Sequence, residues 1–147
     1  MLEDVRISEV EPRPIAIVRR TANNAELPDT MIKALDQVWD FLASNNVETG
    51  HNVVLYHDQV YNLEIGVEYT GDLPVDANVE ASQTPGGRVA SIVYWGEYDE
   101  LSLAHTAIAR HCINAGIRVA GPNWEVYGDH SEDPAERRTD VFYLLRD

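Results

Sequence analysis

Cations and cysteines are scarce in this chain of 147 residues. Lys33 is its single lysine, and 11 basic residues stand against 25 acidic ones, so the formal net charge at pH 7 is -14. The field of such a chain repels phosphates, which argues against direct binding to nucleic acid or to an anionic membrane. Cys112 is the only cysteine. The sequence therefore excludes an intrachain disulfide and a thiolate metal cluster.

Long apolar runs are also missing. No stretch of the sequence approaches the roughly 20 apolar residues that cross a bilayer. The acidic start Met1-Leu2-Glu3-Asp4 lacks the apolar core of a signal peptide. These features predict a cytoplasmic protein without membrane contact. The length predicts a single domain over residues 1–147, with no separate DNA-binding domain.

Motifs for metals, phosphates and nucleophiles are absent as well. His105 and His111 are six residues apart, so they do not share a helix face. There is no HExxH or paired-cysteine motif, no glycine-rich loop with phosphate-binding spacing and no nucleophile elbow. The sequence thus predicts neither a metal site nor a cofactor.

Two segments have the apolar spacing of amphipathic helices. The first begins at Asp29 or Thr30, which can cap it, and runs to about Asn45. Its apolar stripe, widened by two further side chains, consists of Met31, Leu35, Val38 and Leu42, with Ile32 and Trp39. The second helix is expected over Gly96–Gly116. Its stripe consists of Leu101, Ala104, Ile108, Cys112 and Ala115.

The remaining segments favour strands. An edge strand interrupted by prolines is predicted over Val5–Val18, because proline cannot donate to a ladder. Further strands are predicted over Asn52–His57, Tyr61–Tyr69, Val79–Thr84, Arg88–Trp95, Trp124–Tyr127 and Thr139–Leu145. Asp58-Gln59 is predicted to be a turn, and Pro85-Gly86-Gly87 a hairpin turn.

The order of these elements repeats as strand, helix, strand, strand. It predicts an α+β fold of two such modules related by a pseudo-twofold axis, with an antiparallel sheet that carries both helices on one face and a ligand cleft on the other. Parity along the strands assigns one set of side chains to the helix face: Leu63, Ile65, Val67, Trp124 and Val126. The same parity assigns to the cleft Glu64, Glu125, Tyr127, Asp140 and Phe142.

The short strand Trp124–Tyr127 carries the most specific chemical signal. Alternation places Glu125 and Tyr127 on one face. A carboxylate on a partly apolar surface is costly unless a partner neutralises it. A flat cationic ligand would supply that partner and would stack on the tyrosine ring.

Four segments in this order resemble the GyrI-like small-molecule-binding domains, which include DNA gyrase inhibitory proteins and the effector-binding domains of multidrug-responsive and AraC-type bacterial transcription regulators. The opening Pro12–Ala16 is similar to the first strand of that family. Trp95-Gly96-Glu97-Tyr98 is similar to its strand-to-helix junction, and Gly121-Pro122 with Trp124–Tyr127 to its signature strand. The closing segment is Asp133-Pro134 with Thr139–Tyr143.

The resemblance implies a ligand cleft at the junction of the two modules, with Glu125 as the acidic residue at its bottom. It also implies an aromatic lining, for which Tyr98, Tyr127, Phe142 and Trp95 are the candidates by position. Asp140 stands where the family often has a glutamate, so a second, shorter carboxylate is expected there.

Three functions remain open on these grounds. The first is binding of cationic, aromatic or hydrophobic drug-like molecules in sequestration, resistance or regulation. The second is hydrolysis of strained cyclopropane rings in genotoxic natural products, with Glu125 as the general base and Tyr127 or Trp95 orienting the substrate. The third is inhibition of a protein partner such as gyrase through the acidic surface. An aromatic groove would also allow a homodimer.

Overall fold

One antiparallel sheet of eight strands, with two helices on one of its faces, accounts for most of the described residues. The computed structural model describes residues 1–58 and 62–147. The helices are α1 (Leu27–Ser44) and α2 (Ser102–Ala115). The strands are β1 (Arg6–Val10), β2 (Pro14–Thr21), β3 (Glu48–Tyr56), β4 (Asn62–Thr70), β5 (Glu80–Gln83), β6 (Gly87–Trp95), β7 (Val119–Tyr127) and β8 (Arg138–Leu145). They lie in the order β1-β6-β8-β7-β3-β4-β2-β5. The predicted α+β fold is confirmed.

The two halves of the chain repeat the same unit, as the element order predicts. The first unit is β2-α1-β3-β4 and the second is β6-α2-β7-β8, and they meet where β3 pairs with β7. Each helix buries three side chains at a spacing of four residues, Ala34, Val38 and Leu42 in α1 and Ala104, Ile108 and Cys112 in α2. The pseudo-twofold axis therefore passes between β3 and β7.

The helix boundaries differ from prediction for local reasons. Helix α1 begins before Asp29 because Pro28 fits its first turn. Helix α2 starts at Ser102, after a separate 3-10 turn over Tyr98–Glu100, and ends as predicted at Gly116, whose φ of 68° is left-handed. Ile32 and Trp39 do not widen the buried stripe of α1, because they are 61% and 37% exposed.

The sheet is rolled, because two short connections join strands that are far apart in its order. Residues 11–13 connect β1 to β2, and residues 84–86 connect β5 to β6. The strands of each pair lie six positions apart. Six spacings in a flat sheet amount to about 29 Å, whereas four residue steps reach at most about 14 Å. The two edges of the sheet must therefore curl toward each other.

The two connections are also bonded to each other. The backbone N–H of Thr84 donates to the carbonyl of Arg13 at 2.9 Å, and the N–H of Arg13 donates to the Thr84 hydroxyl at 2.9 Å. Rolling gives the sheet an outer face, covered by the helices, and an inner face. The inner face buries a cluster of its own that includes Ile15, Ile17, Val53, Leu55, Val89 and Trp124.

Rolling explains why the predicted assignment of faces is partly wrong. Leu63, Ile65 and Val67 pack under α1 as predicted. Trp124 and Val126 were also expected under the helices, but they belong to the inner cluster. Since both faces of a rolled sheet bury apolar side chains, hydrophobicity alone does not tell which face a strand residue takes.

Two predictions about strand pairing are wrong for the same topological reason. Strand β1 is an edge strand, but β2 lies between β4 and β5. Strands β5 and β6 do not form a hairpin around residues 85–87, because β5 pairs with β2 and β6 pairs with β1 and β8. The start of the predicted strand at Tyr61 and the predicted turn at Asp58-Gln59 lie wholly or partly outside the described residues.

We predict that Gly66→Ala destabilises the fold strongly. A Cβ atom on Gly66 would lie 1.8 Å from the carbonyl oxygen of Ala16 and 2.8 Å from Cγ2 of Ile17. Strands β2 and β4 would have to separate, so we expect a loss of at least about 3 kcal/mol in the free energy of unfolding, measured by urea denaturation.

Gly50→Ala is the matched control for that variant. Its Cβ would meet only the side chain of Glu68, nearest at Oε1 at 2.9 Å, and this flexible group can move. We expect Gly50→Ala to cost about 1 kcal/mol or less. Equal losses for the two variants would contradict the proposed role of close packing between β2 and β4.

Candidate functional site

Glu125 lies on the outer face of the sheet, where the two units meet. It pairs with Val54 of β3 on one side and with Val141 of β8 on the other. Val54 belongs to the core under α1 and Val141 to the core under α2. The carboxylate is therefore held between the two helix-covered cores, and the residue is only 4% exposed.

Three side chains donate hydrogen bonds to the Glu125 carboxylate. The hydroxyls of Tyr127 and Tyr56 donate to Oε1 at 2.6 Å and 3.1 Å. Nε2 of His105 lies 2.6 Å from Oε2. Tyr56 comes from the first unit and the other two residues from the second, so both units build the site.

His105 links the carboxylate to a third tyrosine. Its Nδ1 lies 2.6 Å from the hydroxyl of Tyr143, and the two rings meet edge to face at 5.6 Å. Because a carboxylate only accepts, Nε2 of His105 donates to Glu125, and a neutral ring then accepts from Tyr143 at Nδ1. The histidine thus sits in a chain of hydrogen bonds from Tyr143 to Glu125.

The phenols around Glu125 are held in their neutral form. Burial, reinforced by the charge of Glu125, raises the pKa of Tyr127 well above its ordinary value. Burial also raises the pKa of Tyr56, and it raises the pKa of Tyr143 to about 12, with a smaller contribution from Glu125 in each case. These tyrosines donate hydrogen bonds without supplying charge.

Glu64 offers a direct comparison, because it is equally buried, at 2% exposed, on the inner face. Ser82 and His57 bond to its carboxylate, and Nη1 of Arg19 lies 3.5 Å from its Oε2. Among the described residues, the carboxylate of Glu125 has no arginine or lysine within ion-pair distance, and its one ionisable cationic neighbour is His105. Glu64 has a permanent counter-ion, whereas Glu125 does not.

The structure divides the sequence-predicted site residues into two groups. Glu125, Tyr127 and Tyr98 lie together on the outer face, where the ring of Tyr98 meets that of Tyr127 edge to face at 5.6 Å. Tyr98 is 46% exposed and marks the solvent side of this group. The prediction that Glu125 and Tyr127 face away from the helices is wrong, because their strand places them beside Val54 and Val141.

The second group of predicted residues lies on the inner face of the sheet. Trp95, Asp140 and Phe142 line a cavity of about 760 Å³, which we call the interior cavity. This cavity occupies the face on which the sequence predicts a ligand cleft. Phe142 stacks on Trp124 with ring centroids 5.3 Å apart, and the guanidinium of Arg138 lies over Trp95 at 5.6 Å. The sheet separates this group from Glu125.

Three residues of the Glu125 cluster were not predicted from the sequence: Tyr56, His105 and Tyr143. In the sequence, the spacing of His105 to His111 is not that of a metal site, and no other pattern points to His105. Tyr143 has the same strand parity as Val141, so it follows directly once Glu125 is placed beside Val141. Tyr56 has the parity of Val54 in β3. The alternation of residues along β3 and β8 places Tyr56 and Tyr143 on the face of Glu125, but this becomes evident only once the face of Glu125 is known.

The described residues contain no group of three or more histidine, cysteine, aspartate or glutamate side chains that could hold a metal ion. Within the same residues, neither helix is long and apolar enough to span a bilayer.

Comparisons with known proteins identify one family and several solved structures with a similar fold. The sequence model of the GyrI-like small molecule binding domain matches residues 3–146. No curated protein matches the sequence significantly. The crystal structure of the EcmrR C-terminal domain is similar in fold, with a TM-score of 0.83, 14% identity and coverage of 98% of each chain.

Two further solved structures share the fold at low identity. A structure of SAV2435 bound to tetraphenylphosphonium has a TM-score of 0.62 and 12% identity, and the match covers 98% of this chain and 94% of that one. A crystal structure described as a hydrolase from Listeria innocua has a TM-score of 0.65 and 9% identity, with coverage of 97% and 92%. At these identities the likeness concerns the fold alone.

The raised pKa values of the tyrosines predict a loss of stability at high pH. In the unfolded chain a phenol gives up its proton near pH 10, whereas in the folded protein the neutral form of Tyr127 persists to higher pH. Above pH 10 the unfolded state therefore binds fewer protons, and the free energy of unfolding falls as pH rises, by about 1.4 kcal/mol per pH unit for each such tyrosine.

Tyr127→Phe should make this fall less steep between pH 10 and 11, as measured by urea denaturation at several pH values. Tyr98→Phe, which removes an exposed phenol, is the control and should keep the wild-type slope. If both variants kept the wild-type slope, the burial of the Tyr127 phenol would not govern alkaline stability.

Proposed function

Because the chain belongs to the GyrI-like small molecule binding domain family, we propose that it binds aromatic cations between α1 and α2, with Glu125 as the counter-ion. The observation that carries the proposal is the set of partners of the buried Glu125 carboxylate. The carboxylate is satisfied in hydrogen bonds by Tyr56, Tyr127 and His105, yet the described residues give it no permanent cation.

Hydrogen bonds and neutralisation are different requirements. Neutral donors stabilise a buried carboxylate, but its negative charge remains and attracts a cation strongly where water is excluded. The charge of -14 on the whole chain adds a long-range attraction for cations and repels anions. These terms favour a ligand that carries positive charge.

The aromatic side chains favour a ligand with apolar rings. Tyr98 and Tyr127 meet edge to face, which leaves ring surface of Tyr98 toward solvent. A cation that contacts such a ring gains about 0.5–2 kcal/mol. SAV2435, which shares the fold, is described as bound to tetraphenylphosphonium, and this lipophilic cation is therefore a suitable first probe.

In the cell, a protein of this kind would act in sequestration, resistance or regulation. The excess of acidic residues is against direct contact with nucleic acid. We place the protein in the cytoplasm, and we regard a homodimer or a protein partner of the gyrase-inhibitor type as further hypotheses. Each of them would require a surface other than the buried Glu125 cluster.

A hydrolase is the second candidate, and the contact between His105 and Glu125 is the observation in its favour. The chain of hydrogen bonds from Tyr143 through His105 to Glu125 offers a route for a proton. Tyr127 lies close enough to orient a substrate, whereas Trp95 is on the other side of the sheet. Incubation with a cyclopropane-containing substrate, followed by mass spectrometry, would detect the ring-opened product that distinguishes hydrolysis from binding.

We expect Glu125→Gln to weaken binding of tetraphenylphosphonium by about 10-fold to 100-fold, as measured by isothermal titration calorimetry, because the variant keeps the size of the side chain and removes its charge. Binding of triphenylphosphine oxide, a neutral molecule of similar shape, should change less than about 3-fold. Equal losses for both probes would contradict the electrostatic role of Glu125.

Glu64→Gln is the matched control, since it neutralises the equally buried carboxylate on the inner face. It should leave the affinity for tetraphenylphosphonium within about 2-fold of wild type. A thermal melt of each variant establishes that the protein is folded. If Glu64→Gln weakened binding as much as Glu125→Gln, the effect would come from total charge rather than from the cluster.

A further inference from the structure

The interior cavity contains residues that the Glu125 cluster does not use. Its lining includes Trp95, Asp140 and Phe142, which the sequence marks as site residues, and it lies on the opposite face of the sheet from Glu125. Its volume of about 760 Å³ is within the range of roughly 300–1,000 Å³ that is usual for small-molecule sites. Size and position therefore make it a separate candidate for ligand binding.

The floor of the interior cavity is formed by aromatic side chains. The rings of Trp124 and Phe142 are stacked, with centroids 5.3 Å apart and an angle of 13° between their planes. Val126 extends the same surface. Because the two rings stack on each other and Trp124 is only 3% exposed, a planar aromatic ligand would contact Phe142, the more accessible of the two.

The walls of the cavity carry an excess of negative charge. Six carboxylates line it: Glu9, Glu11, Glu68, Asp129, Glu136 and Asp140. Against them stand two arginines, Arg13 and Arg138, together with His51. With histidine neutral, four negative charges remain. A cation that enters the cavity is therefore attracted, and an anion is repelled.

One of the protein's own side chains shows what the cavity accepts. The planar guanidinium of Arg138 lies 5.6 Å from the ring of Trp95, and its Nε and Nη2 bond to the two oxygens of Asp140 at 2.7 Å and 3.1 Å. A flat cation over an indole ring with a carboxylate at its edge is thus already formed at this wall. The same chemistry would recognise a planar cationic ligand.

We propose that the interior cavity is a second binding site, independent of Glu125, for a planar aromatic cation that packs against Phe142. Its positive charge is attracted by the excess of carboxylates in the lining, which includes Asp140 beside Arg138 and Glu68 beside Arg13. Glu68 is held at this wall by Arg13, at 3.5 Å, and by His51, whose Nδ1 lies 3.6 Å away. The sheet between the two sites allows both to be occupied at once.

The experiment uses the full chain and proflavine, a planar dye that is cationic at pH 7. In isothermal titration calorimetry, the wild type should bind proflavine, and this binding should persist in Glu125→Gln. The affinity for proflavine should fall at least 10-fold in the double variant Asp140→Asn/Glu68→Gln. Acridone, which is planar and neutral, should bind more weakly than proflavine to the wild type. Raising the salt concentration should narrow that difference between the two dyes.

Phe142→Leu is a second variant, which changes the floor of the cavity without changing its charge. It should weaken the binding of proflavine several-fold. Thermal melts establish that each variant is folded. Binding of tetraphenylphosphonium should be unaffected by Asp140→Asn/Glu68→Gln. If only one of the two proposed sites exists, only one of the two probes will respond to its variants as expected.

Three results would overturn the proposal. The first is no binding of proflavine to the wild type. The second is binding that disappears in Glu125→Gln and survives in Asp140→Asn/Glu68→Gln, which would assign the dye to the outer face. The third is a dimer in analytical ultracentrifugation that dissociates in Phe142→Leu, which would show that a second copy of the chain occupies the cavity.

Discussion

The connections over residues 11–13 and 84–86 are the constraint on which the rest of the structure depends. Each has three residues, yet each must join strands that a flat sheet would hold about 29 Å apart. The sheet therefore rolls, and rolling divides the molecule into an outer side under the helices and an inner side enclosed by the strands. The separation of the Glu125 cluster from the interior cavity follows from that division.

The two buried glutamates show how the two sides differ chemically. Glu64 on the inner side has Arg19 nearby as a permanent cation, and its charge is balanced within the protein. Glu125 on the outer side is bonded by His105 and by two phenols whose pKa values are raised by burial, and among the described residues it has no arginine or lysine within ion-pair distance. Similar burial thus occurs in two settings, beside an arginine in one case and among hydrogen-bond donors without a permanent cation in the other.

Much of the fold could be predicted from the sequence, because helix periodicity and element order are local signals. The stripe through Val38 and Leu42 and the repeat of the two units are examples. The face of Glu125 could not be predicted, since Trp124 and Val126 are as apolar as the residues under the helices. The pairing of β5 was missed because a proline-glycine segment indicates a turn but does not specify which strand follows beside it. The role of His105 depends on a contact across α2, β7 and β8 that no spacing within one element reveals.

The seam between β3 and β7 explains why the two units belong to one chain. At this seam the first unit contributes Val54 and the second contributes Glu125, directly opposite each other. If two identical single units associated instead, the same residue would lie on both sides of the axis. Two glutamates there would repel each other, and one would have to take up a proton, whereas two valines would leave no charge at all. Because both units lie in one chain, the two sides of this seam can differ, and the pair carries a single glutamate opposite a valine.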